Sequence, residues 1–166
     1  TKIVGQGVKE IKLEDLVPEK ENVLVITAGG YIKRTDPSEY RSQRRGGVGV
    51  IDLDIKEEDF VSIFLSANTH SDLLFFTNLG KVYQIKMYDI PEGKKATRGK
   101  SIMNFLPLAD SEKITSVLPV PKESKGKVAG VMMVTTQGVA KKVAINNFND
   151  VRRSGIIAIK LGKDDS

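Results

Sequence analysis

A short run of arginines and glycines is the part of this sequence with the most distinctive chemistry. We call it the basic box, and it reads Gln43-Arg44-Arg45-Gly46-Gly47-Val48-Gly49. Each guanidinium group can form paired hydrogen bonds to phosphate oxygens, which a lysine cannot do. Glycines tolerate positive φ and carry no side chain, so a phosphate backbone can approach the main-chain N–H groups closely. On its own, such a run is also compatible with a plain glycine-rich turn or a disordered RNA-binding tail.

The segment around the box recurs twice more along the chain. Each copy begins with Thr, two further residues and Gly, and these anchoring glycines are Gly30, Gly80 and Gly138, 50 and 58 positions apart. A second glycine follows 17, 19 and 17 positions later, at Gly47, Gly99 and Gly155. A repeat of about 40 to 50 residues that is rich in short strands is typical of propeller-like arrays. We therefore predict three β repeats, at about 22–67, 71–120 and 128–161, after a lead-in of 1–21.

Positive charge concentrates at the same place in each repeat. The net charge is +3 over residues 31–49, +4 over 81–100 and +3 over 141–153, so the rest of the chain carries −5. The candidate phosphate contacts outside the box are Lys33, Arg34, Arg41, Lys81, Lys94, Lys95, Arg98, Lys100, Lys141, Lys142, Arg152 and Arg153. A single window of this kind is most simply a solvated loop. The basic windows, however, recur at the same position of all three repeats. Stacking the repeats would therefore place them in a stripe along one edge, which is the electrostatic signature of a polyanion-binding surface.

Apolar patterning predicts an all-β fold. The expected strands are 23–27, 31–35, 48–53 and 60–67, then 73–77, 81–85, 100–105 and 114–120, then 131–135, 139–144 and 155–161. Two of them, 73–77 and 131–135, are almost continuously apolar, as expected for strands covered on both faces. The lead-in contains one orphan strand at 8–13, and only 36–43 and 87–95 are compatible with a helical turn.

The amino-acid composition narrows the class of protein further. An apolar fraction of 40% and a charged fraction of 28% are typical of a soluble globular protein. No apolar run reaches the ~18 residues of a membrane span, and there is no cysteine for a disulfide framework. The chain starts at Thr1 without Met, which suggests a segment of a longer polypeptide.

Two stretches carry a resemblance to a known family. The run from Gly30 through the basic box, and the run from His70 through Tyr83, resemble the C-terminal domain of DNA gyrase A, and the likeness extends from about Leu13 to Lys160. The family's box reads Gln-Arg-Arg-Gly-Gly-Lys-Gly or close to it, and Val48 stands where the family usually has Lys or Arg. The related topoisomerase IV domain usually carries a degraded box. Retention of the other six positions therefore favours gyrase.

The resemblance implies a fold, a function and partners. The family folds as a β-pinwheel, a disc of four-stranded antiparallel blades that exchange an outer strand, typically with six blades, so three repeats make a partial disc. DNA wraps around its basic perimeter without base readout, as an accessory to negative supercoiling in the bacterial cytoplasm. The implied partners are duplex DNA, the rest of gyrase A and gyrase B, with self-association of the partial disc as a further possibility. The DNA-cleaving tyrosine, ATP and Mg²⁺ belong to other domains, and this segment is expected to hold no cofactor or metal and to perform no catalysis.

Other interpretations remain open at this stage. His70 is the only histidine, and it is expected in a turn between strands rather than on a metal, because there is no second histidine or cysteine. The acidic run 52–59 lacks the spacing of an EF-hand and is expected to be a solvated connector. The alternatives to DNA wrapping are a topoisomerase IV domain that wraps weakly and a propeller-like module that binds acidic protein surfaces. An enzyme is the least favoured class, because no acid–base or nucleophile constellation is visible.

Overall fold

The structure, a computed structural model, describes residues 13–40, 59–122 and 130–166. A short helix, α1 (Leu13–Leu16), precedes ten strands: β1 (Glu21–Thr27), β2 (Tyr31–Thr35), β3 (Val61–Asn68), β4 (Asp72–Thr77), β5 (Lys81–Lys86), β6 (Lys100–Ser101), β7 (Ile114–Val120), β8 (Val131–Val134), β9 (Ala140–Val143) and β10 (Ile156–Ile157). Short 3-10 helices lie at Pro37–Glu39, Met87–Asp89, Ile102–Asn104 and Ile145–Phe148. The all-β prediction is confirmed. The first two 3-10 helices lie where helical turns were expected, whereas the last two were not predicted.

Each repeat begins with a hairpin closed by its anchoring glycine. In the turns β1–β2, β4–β5 and β8–β9, the amide of the glycine donates to the carbonyl of the Thr three positions earlier, at 3.0 Å in every case. The φ angles of Gly30, Gly80 and Gly138 are 81°, 71° and 82°, a region that other residues rarely adopt. The Thr-x-x-Gly pattern is therefore a hairpin signal.

The hairpins form the centres of two four-stranded antiparallel sheets. The first blade has the strand order β3-β1-β2-β6, and the second has the order β10-β5-β4-β7. β6 and β10 are supplied by the following repeat, so neighbouring blades exchange an outer strand as the resemblance implies. These exchanged strands were expected at 100–105 and 155–161, but each is only two residues long. In the described part of the third repeat, β8 and β9 form a two-stranded sheet.

The core lies between successive blades rather than inside one of them. On one face of β4, Leu73 and Phe75 pack with Leu24 and Ile26 of the first blade. On the other face, Leu74 packs in a second cluster with Phe148 and other side chains of the third repeat. Since successive side chains of a strand point to opposite faces, the continuous apolar run of β4 serves two interfaces. Burying one such side chain stabilises the fold by about 1.5–3 kcal/mol.

β8 departs from the prediction that it is covered on both faces. Val131 and Met133 pack against the second blade, as expected. Met132 and Val134, on the opposite face, are 70% and 66% exposed. They correspond to Leu24 and Ile26 in the first repeat, which the following blade buries. In the part of the chain that the structure describes, no blade follows the third repeat, so this face of β8 stays exposed.

The lead-in docks on the turn between β3 and β4. The backbone amide of Thr69 donates to the carbonyl of Lys20, and its hydroxyl donates to that of Pro18. His70 lies in this turn, as predicted, with its Nε2 2.8 Å from the carbonyl oxygen of Val17. The orphan strand expected at 8–13 falls almost wholly outside the described residues, and Leu13 itself begins α1. Across the three described ranges, none of the helices has the length and apolar character to span a bilayer.

Candidate nucleic-acid interface

The basic turn of the second repeat, residues 92–100, lies on the first blade rather than on its own. β6 pairs with β2 so that Lys100 lies opposite Ile32. Gly99 has a φ of 90°, and a Cβ on it would lie 2.6 Å from the carbonyl oxygen of Ile32. Glycine is required here because the turn approaches the backbone of the preceding repeat.

The basic turn of the third repeat, residues 149–155, occupies the equivalent place on the second blade. β10 pairs with β5 so that Ile156 lies opposite Val82. Gly155 has a φ of 75°, and a Cβ on it would lie 2.7 Å from the ring of Tyr83. The amide of Val151 donates to the side-chain oxygen of Gln84 at 3.0 Å. The second and third basic turns therefore occupy matching positions on successive blades.

Aromatic rings hold two cations of the second basic turn. The guanidinium carbon of Arg98 lies 3.7 Å from the ring centroid of Tyr31, and the ammonium of Lys95 lies 5.0 Å from that of Tyr40. Such contacts favour the cation by about 0.5–1 kcal/mol at exposed sites. Lys94 and Lys100 are exposed in the same turn. The turn thus presents four cations, two of which are oriented by the first repeat.

Lys33 and Arg34 do not fit the sequence-based expectation that they contact phosphate. Lys33 is 1% exposed, and its ammonium donates to the carbonyls of Lys94, Lys95 and Thr97 at 3.2, 2.5 and 2.9 Å. Arg34 has a side chain that is 13% exposed, and it donates to Ile90, Asn22 and Glu92. Both cations hold the chain together. The prediction failed because most of their partners lie more than fifty positions downstream, beyond the reach of a local charge pattern.

The cations of the third repeat are more accessible. Arg152 and Arg153, in the third basic turn, are exposed, as is Lys142 in β9. Lys141 is exposed, although its ammonium donates to the carbonyl of Ala158 at 2.7 Å. Lys81, in β5, has a side chain that is 38% exposed and lies 4.0 Å from the carboxylate of Glu112. These residues remain candidate phosphate contacts.

The basic box itself lies outside the described residues. Gln43, Arg44, Arg45, Gly46, Gly47, Val48 and Gly49 all fall between residues 40 and 59, as does Arg41. So do the strand predicted at 48–53 and most of the acidic connector 52–59. The predicted role of the box therefore remains a prediction based on its sequence.

One repeated feature was missed by the sequence reasoning: a carboxylate that binds each hairpin turn. Glu112 accepts a hydrogen bond from the hydroxyl of Thr77 at 2.8 Å. Asp59 accepts from the amide of Gly29 at 2.7 Å, and Asp165 from that of Gln137 at 3.0 Å. All three acids lie 30 to 35 positions after the Thr of their own repeat. An acid at this distance in every repeat could have been found in the sequence. It was obscured because the second repeat has Glu where the others have Asp, and because the spacing varies.

Hydrogen bonding outweighs burial at these carboxylates. Burial alone would raise the pKa of Glu112, but donors from Thr77, the Ala109 amide and Tyr83 lower that pKa below its ordinary value. The pKa values of Asp59 and Asp165 are lowered in the same way, by donors from their hairpin turns that outweigh burial. Burial, and next the hydrogen bond to Glu112, raise the pKa of Tyr83 to about 12. All three carboxylates therefore accept hydrogen bonds from the protein itself, and Glu112 does so in a buried position.

The Glu112 cluster makes stability depend on pH. A carboxyl with a lowered pKa stabilises the fold above its unfolded-state pKa, and that contribution is lost as the pH falls through its folded-state pKa. We expect Glu112→Gln to lower the free energy of unfolding by about 1–3 kcal/mol at neutral pH. The reason is that the hydroxyls of Thr77 and Tyr83 and the amide of Ala109 lose an ionised acceptor. Denaturant unfolding between pH 7 and pH 3 measures this difference, which should shrink as the pH falls.

The matched control is Glu21→Gln, at an exposed position of β1. It removes the same charge without leaving a buried donor unpaired. If the two variants lose stability equally, or if the Glu112→Gln difference persists at low pH, the interpretation of this cluster is wrong.

No metal site accompanies these acids in the described part of the chain. Within residues 13–40, 59–122 and 130–166, no group of three or more His, Cys, Asp or Glu side chains could hold a metal ion. His70 instead contacts the lead-in, and its Nδ1 lies 3.9 Å from the carboxylate of Glu14.

The fold and the basic turns define a class of protein before any comparison is made. Four-stranded antiparallel blades that take their outer strand from the next repeat are the building units of a β-pinwheel, a propeller-like array. Its edge here carries one basic turn per described blade.

The chain belongs to the family described as "DNA gyrase C-terminal domain, beta-propeller", whose model matches residues 21–68, 71–121 and 131–166. It is 43% identical to DNA gyrase A of Escherichia coli (strain K12) over 156 residues, which are 94% of this chain and 18% of that protein. It is 39% identical to DNA gyrase A of Clostridium acetobutylicum over 162 residues, 98% of this chain and 19% of that protein. The chain thus spans about a fifth of the length of these curated relatives.

Solved structures agree on the fold. A DNA gyrase A C-terminal domain superposes with a TM-score of 0.68 at 28% identity, over 89% of this chain and 46% of that one. The C-terminal domain of a DNA topoisomerase IV superposes with a TM-score of 0.69 at 26% identity, over 90% of this chain and 44% of that one. The suspected family is confirmed.

Proposed function

We propose that this chain binds and bends duplex DNA along its basic turns, as the accessory wrapping segment of a DNA gyrase that introduces negative supercoils. The observation that carries the proposal is the matching position of the second and third basic turns on successive blades. Equivalent turns on successive blades present cations to a backbone that curves around the array. Membership of the gyrase C-terminal domain family supports the same role.

The proposed contacts are phosphate contacts. They are the basic box with Arg41, the exposed or half-exposed cations of the second and third basic turns (Lys94, Lys95, Arg98, Lys100, Arg152 and Arg153), and Lys81, Lys141 and Lys142. Phosphate contacts position a duplex without reading its sequence. Affinity should therefore be non-specific and strongly dependent on salt.

The wider assembly follows from the gyrase relatives and is part of the proposal. The segment acts with the remainder of gyrase A and with gyrase B in the bacterial cytoplasm. Strand cleavage, ATP and Mg²⁺ are assigned to other domains of the parent enzyme, and this segment contributes binding and curvature without catalysis of its own. Exposed Met132 and Val134 in β8 are compatible with self-association of the partial disc.

A gel-shift titration over a salt series tests the proposal. The logarithm of the association constant should fall linearly with the logarithm of the salt concentration, with a slope of about 0.9 for each phosphate contacted. Replacing Lys94 and Lys95 together with Ala should reduce this slope by about 1.8, because two contacts are lost. Two duplexes of unrelated sequence should give the same result.

The matched control removes two exposed cations that lie outside the proposed interface, by the double substitution Lys113→Ala/Lys122→Ala. Lys113 is exposed, and Lys122 is paired with Glu14 at 3.0 Å. If the control reduces the slope as much as the Lys94/Lys95 variant, binding depends on net charge rather than on the basic turns. If neither variant affects the slope, Lys94 and Lys95 do not contact the duplex, and if the parent chain does not bind duplex DNA at all, a protein-interaction module becomes the better description.

A further inference from the structure

The buried ammonium of Lys33 is used by neither the hydrophobic core nor the proposed DNA contacts. It extends from β2 of the first repeat and is 1% exposed. Among the described residues it donates to three backbone carbonyls of the second basic turn, more than sixty positions downstream. A buried charge is costly unless it is hydrogen-bonded, and these carbonyls accept from the ammonium. The ammonium is therefore a specific link between two repeats.

This link fixes which way the peptide groups of the turn point. The carbonyls of Lys94, Lys95 and Thr97 converge on the ammonium, and the described residues contain no cis peptide bond. In a trans peptide the N–H of the next residue points opposite to the carbonyl. The amides of Lys95, Ala96 and Arg98 therefore face away from Lys33.

An anionic group already lies against this outer side of the turn. The carboxylate of Glu39, which is exposed, accepts a hydrogen bond from the amide of Lys95 at 2.5 Å. Successive amides that point the same way form a concavity that favours anions. Lys94 and Lys95 belong to the same turn. An oxyanion such as a phosphate therefore fits the chemistry of this outer side.

We propose that Lys33 is a positioning residue for DNA binding: its buried ammonium holds the second basic turn so that Lys94 and Lys95 meet one stretch of phosphate backbone. Lys33 does not touch the DNA. It acts by drawing three carbonyls inward, so that the amides that follow them in the turn face outward. This inference rests on the proposed function and adds a residue to it.

The test is a double-mutant cycle in the 166-residue chain, read out by the salt dependence of binding to plain duplex DNA. Lys33→Met removes the ammonium and keeps the apolar stem. It should weaken binding at about 0.1 M salt by about tenfold or more and reduce the salt slope by about 1.8, as Lys94→Ala/Lys95→Ala does. Combining all three substitutions should have no further effect, because coupled residues are not additive. Hydrogen exchange of the amides at 94–97 should become faster in Lys33→Met.

A second variant guards against loss of folding. Lys33→Gln removes the charge but keeps an N–H donor on a side chain one bond shorter, and it should give a smaller change in the same direction. If Lys33→Met does not unfold cooperatively, the same cycle is run with Lys33→Gln. Near-ultraviolet circular dichroism and a thermal midpoint are recorded for every variant.

The outcomes separate the two proposals. A parent chain that does not bind duplex DNA overturns the proposed function, and this inference with it. A parent that binds, together with a folded Lys33 variant that keeps the parent's salt slope, overturns this inference alone. An effect of the Lys33 substitution that persists in the Lys94→Ala/Lys95→Ala background also overturns it, because Lys33 would then act by another route.

Discussion

Replacing Arg44 and Arg45 together with Ala is expected to abolish the bending of duplex DNA while leaving much of the affinity intact. Bending a site of 20–30 base pairs costs about 1–6 kcal/mol, so at least one anchor on the perimeter must hold the backbone tightly. The basic box combines two arginines with the pair Gly46-Gly47, which neither of the other two basic turns contains. Phosphates elsewhere would still meet cations such as Lys142 and Arg152. Energy transfer between dyes on the two ends of a duplex, recorded beside gel-shift affinity, measures the two effects separately.

Val48→Lys is the opposite change in the same run. It restores a cation where the gyrase family usually has one, and it should strengthen binding and steepen the salt dependence by about 0.9.

Lys113→Ala/Lys122→Ala again serves as the charge control, here for the Arg44→Ala/Arg45→Ala variant. If the Arg44/Arg45 variant bends DNA as well as the parent does, the box is a structural turn and its functional assignment fails.

Gly80→Ala is expected to give the largest loss of stability among single hairpin substitutions. Gly80 has a φ of 71°, and a Cβ on it would overlap the carbonyl oxygen of Ile159, in the segment that follows β10. That segment donates two backbone hydrogen bonds to the carbonyl of Gly80, from Ala158 at 2.9 Å and from Ile159 at 3.1 Å. The substitution therefore strains the turn and also displaces the third repeat from the second blade.

Gly138→Ala is the matched control, because it occupies the same position in the third hairpin. Its φ is 82°, and a Cβ there would meet nothing within 4 Å. It should cost about 1–2 kcal/mol, the penalty for a left-handed conformation. Gly80→Ala should cost about 1–3 kcal/mol more, because it adds overpacking. Urea unfolding of the two variants gives the difference, and equal losses would show that the approach of Ile159 does not matter.

The sequence predicted the hairpins well, because their signals are local. β2 and β7 have the predicted bounds, and their hairpin neighbourhood is close to the prediction, since β1 begins two residues and β4 one residue earlier than predicted. The anchoring glycines supplied this accuracy, since a positive φ at one position determines where each hairpin turns. The strand exchange was anticipated only through the resemblance to the gyrase domain. Alternation of apolar residues shows which side chains share a face, but not which strand lies alongside.

The site was harder to predict, because exposure depends on contacts that are distant in sequence. A count of charges along the sequence does not distinguish Lys94 from Lys33. Lys94 is exposed, whereas Lys33 is buried beneath the turn that contains Lys94. Glu112 likewise reads as one more surface acid, but it is buried and accepts hydrogen bonds from Thr77 and Tyr83. In both cases the deciding partners belong to another strand or another repeat. A repeat alignment that compared acids as well as glycines would have identified the second case.

The central claim is that the basic turns curve a duplex around the array, and the end-to-end distance of bound DNA tests it most directly. The parent chain is added to a doubly labelled duplex of about 30 base pairs, a length that remains nearly straight when free because it is far below the persistence length. We expect energy transfer to rise as the protein saturates the duplex and to fall again as salt releases the DNA. Saturation in the gel shift with no change in energy transfer would mean that the chain binds DNA without bending it, which would contradict the account.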